Sequence, residues 1–599
     1  MKPKESAKYI IIAIILREIV CFWTGHPWDF EIWVRVGKLT SMGNNPYTWL
    51  FYDEEVSFAP YPVMTSIGYL PFIALLSAGI YLLYSVSGFS CKYFYYFLLK
   101  QPFILGDILS ALALAKYSEI RGLNEEKCLD VLRLWLFNPL VIYFSSIWGM
   151  FDSIIIFLVF VALIYLEHGE YFKASLALGV AVFVKIIALI YVPLILLFRR
   201  RKIATGIAYI LLAVSIPVVL TAIPFIVLGW PTHGITECMT YQSGPPAYGG
   251  MSFFSIIEYI SLILTLDPNL SLLLSKFWII MLGITYLLTL VEAISIESRR
   301  IRIRYRRIDV LDAKILVASA FIPFRPFSAE QWSLYLFAPL TIKFAKEDER
   351  NHSRFFLVIA ILVFLYTLTN NTLFIRYLSP LSAKAFYMDL TLNNTPPTAA
   401  LRYCIKMILA LFTSISILEL YLYTIRGAPT EPDLYFVVRR MRSSGKTVIA
   451  KYVLYFISFL IIVTLLDYTV ILMVTDWSRA LEWRIFLGDN LIGLYHVLLG
   501  ALIVFYILTI GAFMKCRFMD RAATLTKLIL LSILATAIAQ PLFQVLKGEI
   551  PLKGRPLYLA FGVTVDERIF FIYTVTFSVL ALAYVDRLVN LLARYVEKR

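Results

Sequence analysis

The chain has 599 residues, 60% of them hydrophobic and 16% charged, with a formal net charge of +15 and a mean hydropathy of +0.77. That balance excludes a soluble globular domain, and apolar runs of about 18 residues or more (451–475, 495–514, 525–546 and 569–585, for example) define an all-α polytopic membrane protein. The positive charge suits the cytoplasmic loops of such a protein better than a nucleic-acid partner, and the six scattered cysteines, without a Cys-x-x-Cys pair, indicate neither a disulfide framework nor a zinc site.

The first hydrophobic span covers residues 9–24 and lacks a small-residue cleavage site, so it reads as a retained anchor. A first loop over residues 25–62 follows at once, with His26-Pro27-Trp28-Asp29-Phe30-Glu31, then Gly43-Asn44-Asn45-Pro46-Tyr47, then Pro60-Tyr61-Pro62. Asp29 and Glu31 are the candidate catalytic pair. At helical spacing i, i+2 they point to different faces, so one can meet a cavity while the other caps or meets solvent. The chemical reading is general-base catalysis; the structural one is an acid favoured by the dipole at a helix start. The sequence does not choose between the two acids as the base.

Two stretches are ambiguous. Residues 62–86 are apolar but interrupted by Pro62, Pro71 and Gly79, and residues 174–197 hold Lys185 near their centre. The positive-inside count favours an interfacial first stretch and a re-entrant second one. Between them, Lys100 and Asp107 lie two helical turns apart in one span, where ions are expensive and either paired or functional. Pro139 after Asn138 bends a helix, and Gly149 allows a corner at Trp148-Gly149-Met150-Phe151-Asp152 that carries Asp152 to the outer mouth, near Asp29. Lys185 is a counter-ion for a buried acid or a ligand for a lipid phosphate. His233, in Trp230-Pro231-Thr232-His233, is a further phosphate or hydroxyl partner. Arg325 and Arg376 are placed to bind a phosphate with the guanidinium fork or to snorkel towards headgroups. Glu330 and Gln331 follow Arg325 in the same tight turn, and with Lys100, Asp107 and Asp152 they are expected to line the acceptor site.

Basic clusters set the topology. Lys2, Lys4 and Lys8, residues 199–202, 299–307, 439–442, 515–521 and 594–599 all fall on one side if the N-terminus is cytoplasmic. The count is about 14 transmembrane helices plus interfacial and re-entrant ones. Residues 1–430 are expected to form the catalytic region, 431–448 a cytoplasmic loop and 449–599 a four-helix membrane module of unknown role. Nothing resembles a Walker loop or a Gly-x-Ser-x-Gly elbow.

Taken in order, Asp29 after the first helix, Gly43 to Tyr47, Tyr61-Pro62, Lys100-Gln101-Pro102 with Asp107, Asn138-Pro139, Trp148 to Asp152, Lys185 and Ser328 to Trp332 resemble the GT-C glycosyltransferases, most closely the prokaryotic GPI-mannosyltransferase-like branch. The resemblance covers roughly residues 9–345. It implies a GT-C-like fold and inverting transfer of a sugar, often mannose, from a polyprenyl- or dolichyl-phosphate donor to a lipid-linked or glycan acceptor on the outer membrane face. It also implies a first-loop carboxylate as base and no sugar nucleotide; a divalent metal stays open, and no metal ligand set is visible. Departures stand at Met150, Val63 and Ile186-Ile187, where the family often has Gln, Pro and Pro-Gln. The rival readings are a transporter or flippase of a lipid-linked sugar, which would also use broken helices, and a subunit of a larger membrane complex docking through the C-terminal helices.

Overall fold

A computed structural model describes residues 3–22, 24–47, 67–89, 91–198, 203–236, 248–261, 276–298, 308–346, 350–371, 376, 377, 379, 386, 389, 390 and 398–426. The expectations for Tyr61-Pro62, for the basic clusters from residue 199 onwards, and for 431–448 and 449–599 lie outside the described residues.

The described chain is almost wholly helical. It runs through α1 (Pro3–Cys21), α2 (Asp29–Ser41), α3 (Phe72–Val86), α4 (Lys92–Ile120), α5 (Glu125–Leu136), α6 (Pro139–Ile142), a π-helix (Tyr143–Trp148), α7 (Asp152–Glu167), α8 (Tyr171–Val184), a 3-10 helix (Ile186–Phe198) and α9 (Ile203–Val227). After these come α10 (Ser255–Ser261), α11 (Phe277–Ser298), α12 (Val310–Phe321), a 3-10 turn (Glu330–Trp332), α13 (Ser333–Ala345), α14 (Arg350–Asn370) and α15 (Thr398–Arg426). Two short strands, β1 (Gly249–Gly250) and β2 (Phe327–Ser328), pair in parallel. Among the described residues, helices at Lys92–Ile120, Ala204–Val227 and Arg402–Ile425 are long and apolar enough to cross a membrane, with the pair Glu125–Leu136 and Pro139–Trp148 a fourth if counted as one bent span.

That bend, 45°, is where Asn138-Pro139 predicted it. The Asn138 side chain accepts from the Leu140 N–H at 3.0 Å, and Pro139 takes the first helical position, where its missing N–H costs nothing. The stretch holding Lys185 is likewise broken: α8 ends at Val184, Lys185 is extended (φ −158°, ψ 124°), and a 3-10 helix resumes at Ile186. Irregular backbone at membrane depth is tolerated only inside protein or along a cavity, and Lys185 is buried. α3 has fifteen residues, about 22 Å of helix, short of the ~30 Å hydrocarbon core.

α4 is the central helix. It packs parallel to α7, with Gly106 against Ile154 at one end and Tyr117 against Phe160 and Glu167 towards the other, and also touches α1, α3 and α5. Gly106 makes the α4–α7 approach possible, because a Cβ there would lie 2.8 Å from Ile154; small residues at crossings let membrane helices close up where no water drives them together. At one end of the bundle, Arg121 bridges Glu167 (3.2 Å) and Asp309 (3.1 Å), and Lys343 meets Asp312 (2.9 Å). The candidate site residues gather at the opposite end.

Candidate active site

Lys100 joins two helix ends. Its Nζ reaches the carbonyls of Cys21 (3.1 Å) and Thr24 (2.6 Å) at the close of α1, and those of Ser146 (2.7 Å) and Ile147 (3.4 Å) at the close of the π-helix. Terminal carbonyls lack helical partners and carry the negative end of the dipole, so a lysine satisfies both needs. The chain beyond one end is His26 to Asp29; beyond the other it is Trp148 to Asp152. Lys100 therefore organises the site from beneath, fully buried, and its donors are spent on backbone carbonyls and the Thr24 hydroxyl.

Trp148 and Asp29 meet above this pin. Gly149 turns left-handed (φ 89°, ψ 43°), and a Cβ there would lie 2.2 Å from Phe30. The Trp148 indole Nε1 donates to Asp29 Oδ2 at 2.9 Å. His26 stacks on Trp148 (centroids 4.8 Å apart), and its Nδ1 accepts from the N–H groups of Asp29 (3.0 Å) and Trp28 (3.3 Å), capping α2. An imidazole that accepts at Nδ1 is neutral there; burial, followed by the Arg376 charge, holds its pKa well below the usual histidine value. Asp29 Oδ1 has no protein partner among the described residues, and the side chain is 32% exposed. Burial raises the Asp29 pKa even so; the Trp148 hydrogen bond and the charges of Lys185 and Arg376 oppose the rise, and Asp152 adds to it.

Glu31 faces the other way. It is fully buried, and Tyr96 donates its hydroxyl to Oε1. Burial raises its pKa too, against the Tyr96 bond and then the charges of Arg35, Lys92 and Lys100. The different faces read from the i, i+2 spacing are thus observed: one acid opens outward and one is enclosed.

Asp152 is buried and chelated by the Lys185 ammonium (2.9 and 3.0 Å), and it accepts from the Tyr335 hydroxyl at 2.8 Å. Lys185 is thus the counter-ion of a buried acid. Asp107 is also enclosed. It takes Arg17 Nε at 2.7 Å, Ser145 Oγ at 2.5 Å and the Ser153 hydroxyl, so its partner comes from α1 and is not Lys100. Neither Lys100 nor Asp107 is brought to the opening beside Asp29.

The other predicted groups divide. Arg325 stacks on Trp332 (4.4 Å) and Phe321 (5.3 Å) and has no carboxylate partner among the described residues; burial brings its pKa down to about 10. Arg376 is answered by Asp389 (2.8 Å) and reaches Asn371 Oδ1 at 3.4 Å. Glu330 is buried and held by Asn370 and Asn371, and burial raises its pKa. Gln331 is buried, and its Oε1 has no partner among the described residues. His233 is exposed, at a junction where Trp230 Nε1 donates to the Gly43 carbonyl (3.0 Å) and Gly234 packs on Tyr47.

Three contributors escaped the sequence reading as site residues. Arg17 was detectable, since an arginine in the first span calls for an intramembrane acid. Trp148 was visible only as part of a corner. Tyr69 had no signal among 38 tyrosines. Its ring lies against Trp33 (5.1 Å) and Phe151 (5.6 Å), with the Lys185 ammonium 5.5 Å from its centroid.

The described residues thus form a helical scaffold, with helices long and apolar enough to cross a membrane and an open carboxylate, Asp29, at one end. The family model for glycosyltransferase family 87 matches residues 61–321, which include Tyr69, Lys100, Asp152 and Lys185 but neither Asp29 nor Arg325. GPI mannosyltransferase 1 of Candida albicans is 26% identical over 155 residues, 23% of this chain and 38% of that relative, so the match spans well under half of the relative's length. Together these similarities support a GT-C-like membrane glycosyltransferase.

Proposed function

We propose that the protein is a hexosyltransferase that moves a sugar from a polyprenyl- or dolichyl-phosphate donor to a lipid-linked or glycan acceptor on the outer membrane face, with inversion. Mannose is the sugar suggested by the name of the matched relative. The observation that carries this reading is Asp29: one oxygen is held by Trp148 and the other is open.

In this reading Asp29 Oδ1 takes the proton of the acceptor hydroxyl as that oxygen attacks the anomeric carbon. The bond from that carbon to the phosphate oxygen breaks, its electron pair stays with the phosphate, and the configuration inverts. A phosphate leaving group supplies the activation, so the protein mainly positions reactants and receives a proton. Of the cations predicted to meet the phosphate, Lys185 and Arg376 are answered by Asp152 and Asp389, whereas Arg325 has a free guanidinium fork among the described residues. Arg325 is therefore the donor-phosphate ligand in this scheme, and Asp29 rather than Glu31 is the base. Lys100 and Asp107 act by shaping the site.

The test is transfer of labelled mannose from polyprenyl-phosphate mannose by membranes carrying wild type or Asp29→Asn, with endogenous lipid and glycan acceptors. Transfer by wild type and none by the variant is expected. Equal transfer by both would overturn the role of Asp29. Movement of the labelled lipid across the bilayer without any glycosyl product would replace the enzyme with a flippase.

A further inference from the structure

Tyr69 stands where the groups of the proposed reaction converge. It precedes α3 by three residues, and its backbone carbonyl is fixed by the Tyr47 hydroxyl at 2.9 Å. Its ring is wedged edge-on between Trp33 and Phe151. Trp33 is one turn after Asp29 on the same face of α2, and Phe151 immediately precedes Asp152. The Lys185 ammonium, bound to Asp152, sits 5.5 Å from the Tyr69 centroid and 5.3 Å from that of Phe151. Tyr69 thus lies between the open acid and the closed Asp152–Lys185 pair.

The ring is locked, yet the hydroxyl is not used. Among the described residues it makes no hydrogen bond, while nearby phenols are committed: Tyr335 to Asp152, Tyr96 to Glu31 and Tyr47 to the Tyr69 carbonyl. Tyr69 is only half-buried. A rigid ring with an open phenol is a preorganised donor. Its charged surroundings also fix the proton. Burial, then Asp29 and Asp152, push the phenol well above its ordinary pKa, with Arg325 acting weakly the other way. The group therefore gives a hydrogen bond and keeps its proton.

Resting on the reading that this site transfers a sugar from a polyprenyl phosphate, we infer that the Tyr69 hydroxyl is a substrate ligand, donating a hydrogen bond to a non-bridging oxygen of the donor phosphate held by Arg325. As the bond between the anomeric carbon and the phosphate oxygen breaks, the phosphate gains a second negative charge and this hydrogen bond strengthens. The acceptor proton goes to Asp29, and no proton passes through Tyr69. Asp29 and Asp152 repel an anion near the phenol, whereas Arg325, whose charge also reaches it, attracts one.

The experiment compares wild type with Tyr69→Phe, purified and reconstituted, using polyprenyl-phosphate mannose as donor and farnesyl phosphate as a product mimic. The variant keeps the ring and loses one donor atom. Loss of a transition-state donor predicts a fall in kcat of about 10²-fold, and farnesyl phosphate should inhibit about tenfold less well. The acidic limb of the pH profile should not move, because Tyr69 does not titrate. Unchanged kcat and inhibition in an active Tyr69→Phe enzyme would overturn the inference and leave the transferase reading standing. No transfer and no inhibition in wild type would remove the transferase reading, and this inference with it. If Tyr69→Phe melts early, 3-fluorotyrosine at position 69 takes its place. As a stronger hydrogen-bond donor it should keep or tighten inhibition by farnesyl phosphate, and a loss there would also overturn the inference.

Discussion

Replacing Trp148 by Phe isolates the bond that holds the proposed base. Phe keeps an aromatic face against His26 and removes only the indole N–H, which donates to Asp29 Oδ2 at 2.9 Å. A hydrogen bond to a charged group contributes about 1.5–3 kcal/mol, and 1.36 kcal/mol corresponds to one pKa unit. The bond favours the ionised carboxylate, so its loss makes Asp29 easier to protonate, and the pH at which activity is lost rises by roughly one to two units. The side chain is 32% exposed, so water replaces part of the lost bond and the lower figure is expected. The sign is fixed by the chemistry: a base works deprotonated, Asp29 already titrates above the usual aspartate value, and kcat/KM climbs as pH rises through its pKa. The assay is kcat/KM against pH at constant ionic strength for wild type and Trp148→Phe, with melting temperatures in parallel. An acidic limb that stays put, or moves down, in a stably folded variant would refute the assignment of Asp29 as the titrating base.

Two further outcomes test the reading of the enclosed charges. Glu31→Gln keeps an acceptor for the Tyr96 hydroxyl and should retain transfer within about threefold of wild type, the ordinary scatter of a neutral hydrogen-bond exchange; a loss as deep as that of Asp29→Asn would make Glu31 a participant. Lys314 is buried and makes no hydrogen bond among the described residues, its ammonium 3.7 Å from the Phe160 centroid. Lys314→Met should leave transfer intact and raise the melting temperature in detergent, because exchanging a poorly compensated buried charge for an apolar side chain gains about 1–4 kcal/mol. A lower melting temperature would show that the ammonium supports the bundle.

Local features were readable in the sequence, and pairings between helices were not. The Asn138-Pro139 break and the separate faces of Asp29 and Glu31 follow from capping and periodicity, which depend on neighbours in the chain. Lys100 and Asp107 show where that reasoning stops. Their spacing puts them on one face of α4, but a helix face does not name what packs against it. Arg17, 90 residues away, takes Asp107, while backbone carbonyls take Lys100. Lys185 was left between two roles for the same reason, and its Asp152 partner emerges only when α8 is folded against α7. Tyr69 depends on three segments meeting around a ring, for which a single sequence has no local mark.

The π-helix fixes the direction of a side chain through its length. In a six-residue turn from Tyr143 to Trp148, where the N–H groups of Gly149 and Met150 both return to the Phe144 carbonyl, the chain holds more residues than an α-turn would. Shortening it by one residue would restore ordinary winding and turn everything downstream by about 100° around the axis, carrying the indole away from the carboxylate it holds. The angular position of the indole relative to Asp29 is thus set by one residue of helix length, and the wide turn lets a segment that starts at Asn138-Pro139 deliver its last side chain to the acid.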